Sequence, residues 1–106
     1  MRIREIIPSE LQTMLAGDTP PLLVDVREAV EADIAQIAGS LLIPMGSLPQ
    51  RLQEISRDRP VALYCHHGVR SLYAAEWLAR QGYQTLSLVG GIDRWAEEVE
   101  PAMRRY

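Results

Sequence analysis

Short apolar runs alternate with helix-like segments along this 106-residue chain, and that alternation restricts the fold more than any other feature. The runs are "MRIREI" at the start, "LLVDV" at 22–26, "SLLIPM" at 40–45, "VALYC" at 61–65 and "TLSLVGG" at 85–91. Apolar stretches of this length, bounded by proline and glycine, read as buried strands. Between the first two, "SELQTMLAG" puts Leu11, Met14 and Leu15 on one helical face, with Ser9 expected as N-cap and Gly17 as the stop. "EAVEADIAQIAG" is weakly helical, and "SLPQRLQEIS" spaces Leu48, Leu52 and Ile55 as a helix would. The clearest helix is "SLYAAEWLARQG", whose apolar face is Leu72, Ala75, Leu78 and Ala79 and whose end is marked by Gly82. "IDRWAEEVE" is the last helix, closed by Pro101. The pattern predicts an α/β fold: a roughly five-stranded, mostly parallel sheet with helices on both faces, in one domain over residues 1–106.

Composition excludes several classes of function. Hydrophobic residues make up 47% and charged residues 24%, the balance of a globular chain and not of a disordered one. The net charge is −3 and all eleven cations are arginines, with no basic stripe carrying interleaved aromatics, so no nucleic-acid partner is expected. The apolar runs are far shorter than a membrane span, and the first residues lack the apolar core of a secretory signal, so a cytoplasmic protein is expected. One cysteine cannot form an internal disulfide, and with two histidines it makes a poor zinc site. Neither metal nor cofactor is expected.

That cysteine, Cys65, ends a predicted strand, where sheets of this type bind their ligands. The following "HHGVRS" turns within about four residues into a helix expected near Arg70 and Ser71. A tight turn entering a helix collects several N–H groups in one concavity, which favours an anion and stabilises a cysteine sulfur as thiolate. Gly68 suits a turn position with positive φ or close backbone approach. Arg70 carries a rigid fork of donors at a helix start, where a cation is disfavoured unless an anion compensates it. A bound ligand is the expected anion. His66 and His67 are read as rim residues of the loop and not as general bases.

These residues resemble the single-domain rhodanese-like proteins. "YCHHGVRS" looks like that family's C-x-x-G-x-R-S loop. "LLVDVRE" is similar to its early strand with Asp-x-Arg, here Asp25 and Arg27, and "LVGGIDRWAEE" to its late strand with Gly90, Gly91 and Trp95. The segment "AQIAGS" departs from the family's G-H-I-P-G-A, matching only at Ile37 and Gly39. The resemblance implies a sulfurtransferase with Cys65 as nucleophile. Sulfane sulfur would pass from a donor such as thiosulfate or a persulfide to a thiol or cyanide acceptor, through a persulfide on Cys65. The loop residues His66, His67, Gly68, Val69, Arg70 and Ser71 would surround the substrate, the amides of 66–70 cradling the sulfur. A sulfur-relay protein is a further partner this implies.

Because the chain has no second thiol, the sulfur must leave to an external acceptor. Asp25 and Arg27 are expected to tie the loop after their strand to its neighbours, and Trp77 and Trp95 to pack. Two alternatives remain at this stage. A small cysteine-dependent phosphatase would use the same amide cradle, but such loops have five residues between cysteine and arginine where this one has four. The other alternative is a rhodanese-like protein-binding or regulatory module.

Overall fold

Val61, Leu63 and Cys65 alternate with Ala62 and Tyr64, and both sets are buried, so the run "VALYC" belongs in the middle of a sheet covered on two sides. The computed structural model describes residues 3–106 and places it there. Five strands form one parallel sheet in the order β1-β5-β4-β2-β3: β1 Arg4–Ile6, β2 Leu22–Asp25, β3 Leu41–Leu42, β4 Val61–Tyr64 and β5 Thr85–Leu88. The helices are α1 Pro8–Leu15, α2 Ala29–Ile34, α3 Val69–Arg80 and α4 Gly91–Glu98. Residues 1 and 2 of the first expected strand lie outside the described residues.

Two hydrophobic cores flank the sheet. On one face, Val24, Val61 and Leu63 pack against Ala74, Ala75 and Leu78 of α3. On the other, Leu23, Ala62, Tyr64 and Leu86 pack against Leu11 of α1 and Ile92 and Trp95 of α4. The chain leaves β2 toward β3 at one edge and leaves β4 toward β5 on the other side. The crevice between the carboxyl ends of β2 and β4 is therefore a topological switch point, where open α/β sheets bind ligands. No helix among the described residues is long and apolar enough to cross a membrane.

Four local expectations are corrected. Ser9 does not cap α1: Pro8 occupies its first turn, and the preceding Ile7 N–H donates to the Glu10 carboxylate at 3.0 Å. The segment "SLPQRLQEIS" is not an α-helix but is built around two 3₁₀ turns, Met45–Ser47 and Leu52–Glu54. Pro49 removes a donor from a stretch too short to nucleate a helix, and Leu48 and Ile55 reach the core from separate turns. Leu72 is exposed, so the buried face of α3 is Ser71, Ala74, Ala75 and Leu78. That helix also starts at Val69, slightly earlier than expected, because Gly68 at φ 104° closes the turn in the left-handed region.

Candidate active site

Cys65 follows β4 directly, and its side chain is buried on the α3 side of the sheet. The Gly68 N–H donates to its Sγ at 3.1 Å and the Ser71 N–H at 3.3 Å. Ser71 thus extends the cradle one residue beyond the expected span. Among the described residues, the N–H groups of His66, His67, Val69 and Arg70 donate to no protein acceptor, so the turn after Cys65 and the first turn of α3 leave free donors. This concentration of N–H dipoles favours negative charge at the sulfur and on whatever atom is bonded to it.

The double glycine makes this approach possible. The N–H groups of Ile92 and Asp93 clamp the carbonyls of Cys65 and His66 at 2.8 and 3.1 Å, so α4 begins directly on the cysteine loop. Gly91 has φ +60°, and a Cβ there would overlap both carbonyl oxygens.

A buried hydroxyl pair completes the sulfur's surroundings. Ser71 Oγ lies 3.6 Å from Sγ, 3.3 Å from the Gly68 carbonyl and 3.0 Å from Ser87 Oγ. Among the described residues, Ser71 is the only hydrogen-bond partner of the Ser87 hydroxyl. Each hydroxyl has one proton, so if Ser71 gave its proton to Ser87, the Ser87 proton would be buried without an acceptor. Ser87 therefore donates to Ser71. The Ser71 proton is left for either the Gly68 carbonyl or the sulfur: toward the carbonyl when Cys65 is a thiol, toward the sulfur when it is an anion.

Arg70 meets an anion from within the chain. Its guanidinium forks onto the Glu31 carboxylate at 2.7 and 2.8 Å, in place of the ligand expected from the sequence. These bonds hold the Glu31 carboxyl at about 2, far below its ordinary value, and raise the pKa of Arg70. Asp25 and Arg27 take the structural role expected of them. Both are fully buried, with Arg27 Nε and Nη2 on the Asp25 carboxylate at 2.9 and 2.7 Å. Arg27 also donates to the Ala35 carbonyl and to Tyr106 Oη, each at 2.8 Å, and Tyr64 Oη donates to Asp25. Burial opposes the charge of Arg27, but Asp25 and Tyr106 together outweigh it and raise its pKa.

The two histidines stand at the rim. The His66 ring is sandwiched between His67 and Tyr106, with centroids 3.8 and 3.9 Å away. Its buried Nε2 has no hydrogen-bond partner among the described residues. Burial, and then the neighbouring His67, push the pKa of His66 below its ordinary value. His66, His67 and Asp93 bring three donor atoms within 4.8 Å of one another. The Asp93 carboxylate is also bonded to Arg105, whose guanidinium would compete with a cation for it.

The six loop residues expected around Cys65 follow it without interruption; of these, Gly68 and Ser71 bond to the sulfur, while His67 and Val69 are exposed. Glu31, Ser87 and Tyr106 were not found by sequence reasoning. The misplaced charge of Arg70 signalled that an anion was needed but not which one, and Ser87 and Tyr106 gave no signal.

The rhodanese-like domain model matches residues 7–98. The chain belongs to the rhodanese-like domain family. It is 40% identical to a sulfurtransferase of Allochromatium vinosum over 93% of its length and 94% of that protein. It is also 31% identical to the putative sulfurtransferase YtwF of Bacillus subtilis, covering 95% and 98% of the two chains. Among solved structures, a rhodanese-like domain protein of Staphylococcus aureus superposes with a TM-score of 0.84 at 30% identity, over 91% of this chain and 94% of the other. A rhodanese-related protein of Thermoplasma volcanium gives 0.84 at 34% identity, over 92% and 95%. The rhodanese-like chain is thus of the sulfurtransferase kind at the level of its family.

Proposed function

We propose that Cys65 carries sulfane sulfur as a persulfide between a donor and a thiophilic acceptor. The observation that carries this reading is the cradle: two N–H groups donate to Sγ, and four more in the same turn and helix start have no protein acceptor among the described residues. The Cys65 thiolate attacks the outer sulfur of the donor, forming an S–S bond as the donor's bond to that sulfur breaks. With thiosulfate the leaving group is sulfite; with a persulfide it is a thiolate. The free amides hold the charge on the newly attached outer sulfur, as they would hold an oxyanion. In the second step an acceptor thiolate or cyanide attacks that sulfur, and the electron pair returns to Cys65. Ser71 follows these changes by turning its proton toward the sulfur whenever it is anionic. The two half-reactions share one site, so ping-pong kinetics are expected.

Intact-mass spectrometry without reductant tests the reading. Incubation with thiosulfate or with glutathione persulfide should add one sulfur, about 32 Da, which cyanide removes. The Cys65→Ser variant should gain nothing while keeping its fold. A folded protein with a free thiol that takes sulfur from neither donor overturns the proposal.

A further inference from the structure

Tyr106 touches three separate parts of the site at once. Its ring stacks on His66 of the cysteine loop, with centroids 3.9 Å apart and planes 12° from parallel. Its hydroxyl lies 2.8 Å from Arg27 Nη1, in the loop after β2, and 3.1 Å from Glu31 Oε1, on α2. The segment leading to it is fastened to α4. Trp95 Nε1 donates to the Glu100 carboxylate at 2.9 Å, and Arg105 Nε and Nη2 donate to Asp93 at 3.0 and 2.9 Å. The phenol thus joins the loops on the two sides of the crevice between β2 and β4.

The direction of these bonds follows from which groups carry protons. A guanidinium has no acceptor, so Arg27 donates to the phenol oxygen, and the single proton of the phenol goes to Glu31. The carboxylate that receives it is the one that holds Arg70. Its Oε1 accepts from Tyr106 and from Arg70 Nη2, and its Oε2 from Arg70 Nη1 and from the Glu28 N–H at 2.9 Å. Arg27 is fixed in place: it is buried on Asp25, and its Nη1 also donates to the Glu31 main-chain carbonyl at 3.3 Å. Tyr106 therefore carries the rigidity of the buried Asp25–Arg27 pair out to the Glu31 side chain. A glutamate held in one rotamer captures Arg70 at a smaller entropy cost than a free one, because only the arginine remains to be ordered. Arg70 is within Coulomb reach of the sulfur: the Glu31 hydrogen bonds raise its pKa, and the charge of Cys65 acts in the same direction.

We infer that Tyr106 is a positioning residue that latches Glu31 onto Arg70, and so sets how well the site takes a small anionic donor. With the latch in place, Arg70 is occupied from within the chain. With the latch released, its guanidinium turns more readily to an anion beside the sulfur. The inference rests on the sulfur-transfer reading above, in which thiosulfate is the anionic donor.

Tyr106→Phe tests it, because phenylalanine keeps the ring on His66 and removes only the hydroxyl. Thiosulfate turnover at saturating cyanide should show KM lowered about two- to threefold with kcat unchanged, the scale of one exposed polar contact. A role confined to holding the fold would raise KM or lower kcat. In a Glu31→Gln background, where Arg70 has lost its carboxylate, the same change should have no further effect. A KM that stays the same or rises in Tyr106→Phe, or a fall that persists in the Glu31→Gln background, overturns the inference. Should thiosulfate load no sulfur, calorimetric titration of thiosulfate into Cys65→Ser protein decides the latch instead. Adding Tyr106→Phe should then tighten binding by the same factor, and equal affinity, or no binding to either protein, overturns the inference. Failure of glutathione persulfide to load as well refutes the transfer reading by itself.

Discussion

Glu31 holds Arg70 by both terminal guanidinium nitrogens, at 2.7 and 2.8 Å, across a gap of 39 residues. The bond turns the one arginine of the cysteine loop away from service as an open anion site. Replacing Glu31 by Gln removes the charge and keeps the shape, which leaves Arg70 free to meet an anionic donor. We expect KM for thiosulfate to fall roughly three- to tenfold with kcat little changed, the effect of one exposed charge pair of about 1 kcal/mol. An unchanged or higher KM would show that Arg70 does not face the donor.

The same pair makes stability depend on acid. The Glu31 carboxyl sits at about 2 in the folded chain, chiefly through its hydrogen bonds from Arg70, against an ordinary 4.5. A carboxyl lowered on folding stabilises fully above its unfolded pKa, and the contribution is lost as pH falls from 4.5 through 2. Both side chains are partly exposed, so the contribution is about 1 kcal/mol. Urea midpoints of the parent and of Glu31→Gln should differ at pH 6 and converge toward pH 2. Parallel curves would mean the pair adds nothing to the fold.

Ser87 gives a third test, aimed at the sulfur itself. Its hydroxyl donates to Ser71, which lets Ser71 offer its own proton to an anionic Cys65. Ser87→Ala should slow iodoacetamide alkylation of Cys65 several-fold at neutral pH, about 1 kcal/mol for one hydrogen bond of this kind. In a Ser71→Ala background, where the relay is already cut, Ser87→Ala should make no further difference to the rate. A slowing that persists in that background would point to misplaced packing instead of a lost donor.

What the sequence disclosed follows from how far apart the cooperating residues lie. The strand, turn and helix around Cys65 are contiguous, and Gly68 and Gly82 announce their turns, so that unit was legible. Glu31 meets Arg70 across 39 residues, and Tyr106 reaches Glu31 and Arg27 across 75 and 79, pairings that periodicity does not encode. The segment from Met45 to Glu54 misled because helical spacing of Leu48, Leu52 and Ile55 is also satisfied by two separate turns that bury their side chains. "AQIAGS" looked like a loss of family pattern. Ile37 nevertheless stays buried and its N–H donates to Tyr64 Oη at 3.2 Å, so this matching position still supports the fold.

The Asp25–Arg27 pair should prove costly to break and cheap to replace. Asp25→Ala leaves a guanidinium buried without its partner, a loss of about 3–5 kcal/mol. Asp25→Leu combined with Arg27→Met removes both charges and should retain more stability than the single change. Denaturant midpoints decide it; a double variant less stable than Asp25→Ala would show that the bonds of Arg27 to Ala35 and Tyr106 matter more than the ion pair.

Two glycines separate strain from function. Gly39 and Gly91 both have positive φ, +83° and +60°, so alanine at either pays the left-handed penalty of about 1 kcal/mol. Nothing lies within 4 Å of a Cβ at Gly39, whereas one at Gly91 would collide with the carbonyl oxygens of Cys65 and His66. Those carbonyls are the ones held by the Ile92 and Asp93 N–H groups, so relieving the collision shifts the cysteine loop. Gly39→Ala should lower Tm by a few degrees and leave sulfur loading intact. Gly91→Ala should lower Tm further and slow loading at least about tenfold, the scale on which misplaced reacting atoms lose rate. If both variants loaded sulfur at the parent rate, the clamp of α4 on the loop would hold the fold together without positioning the nucleophile.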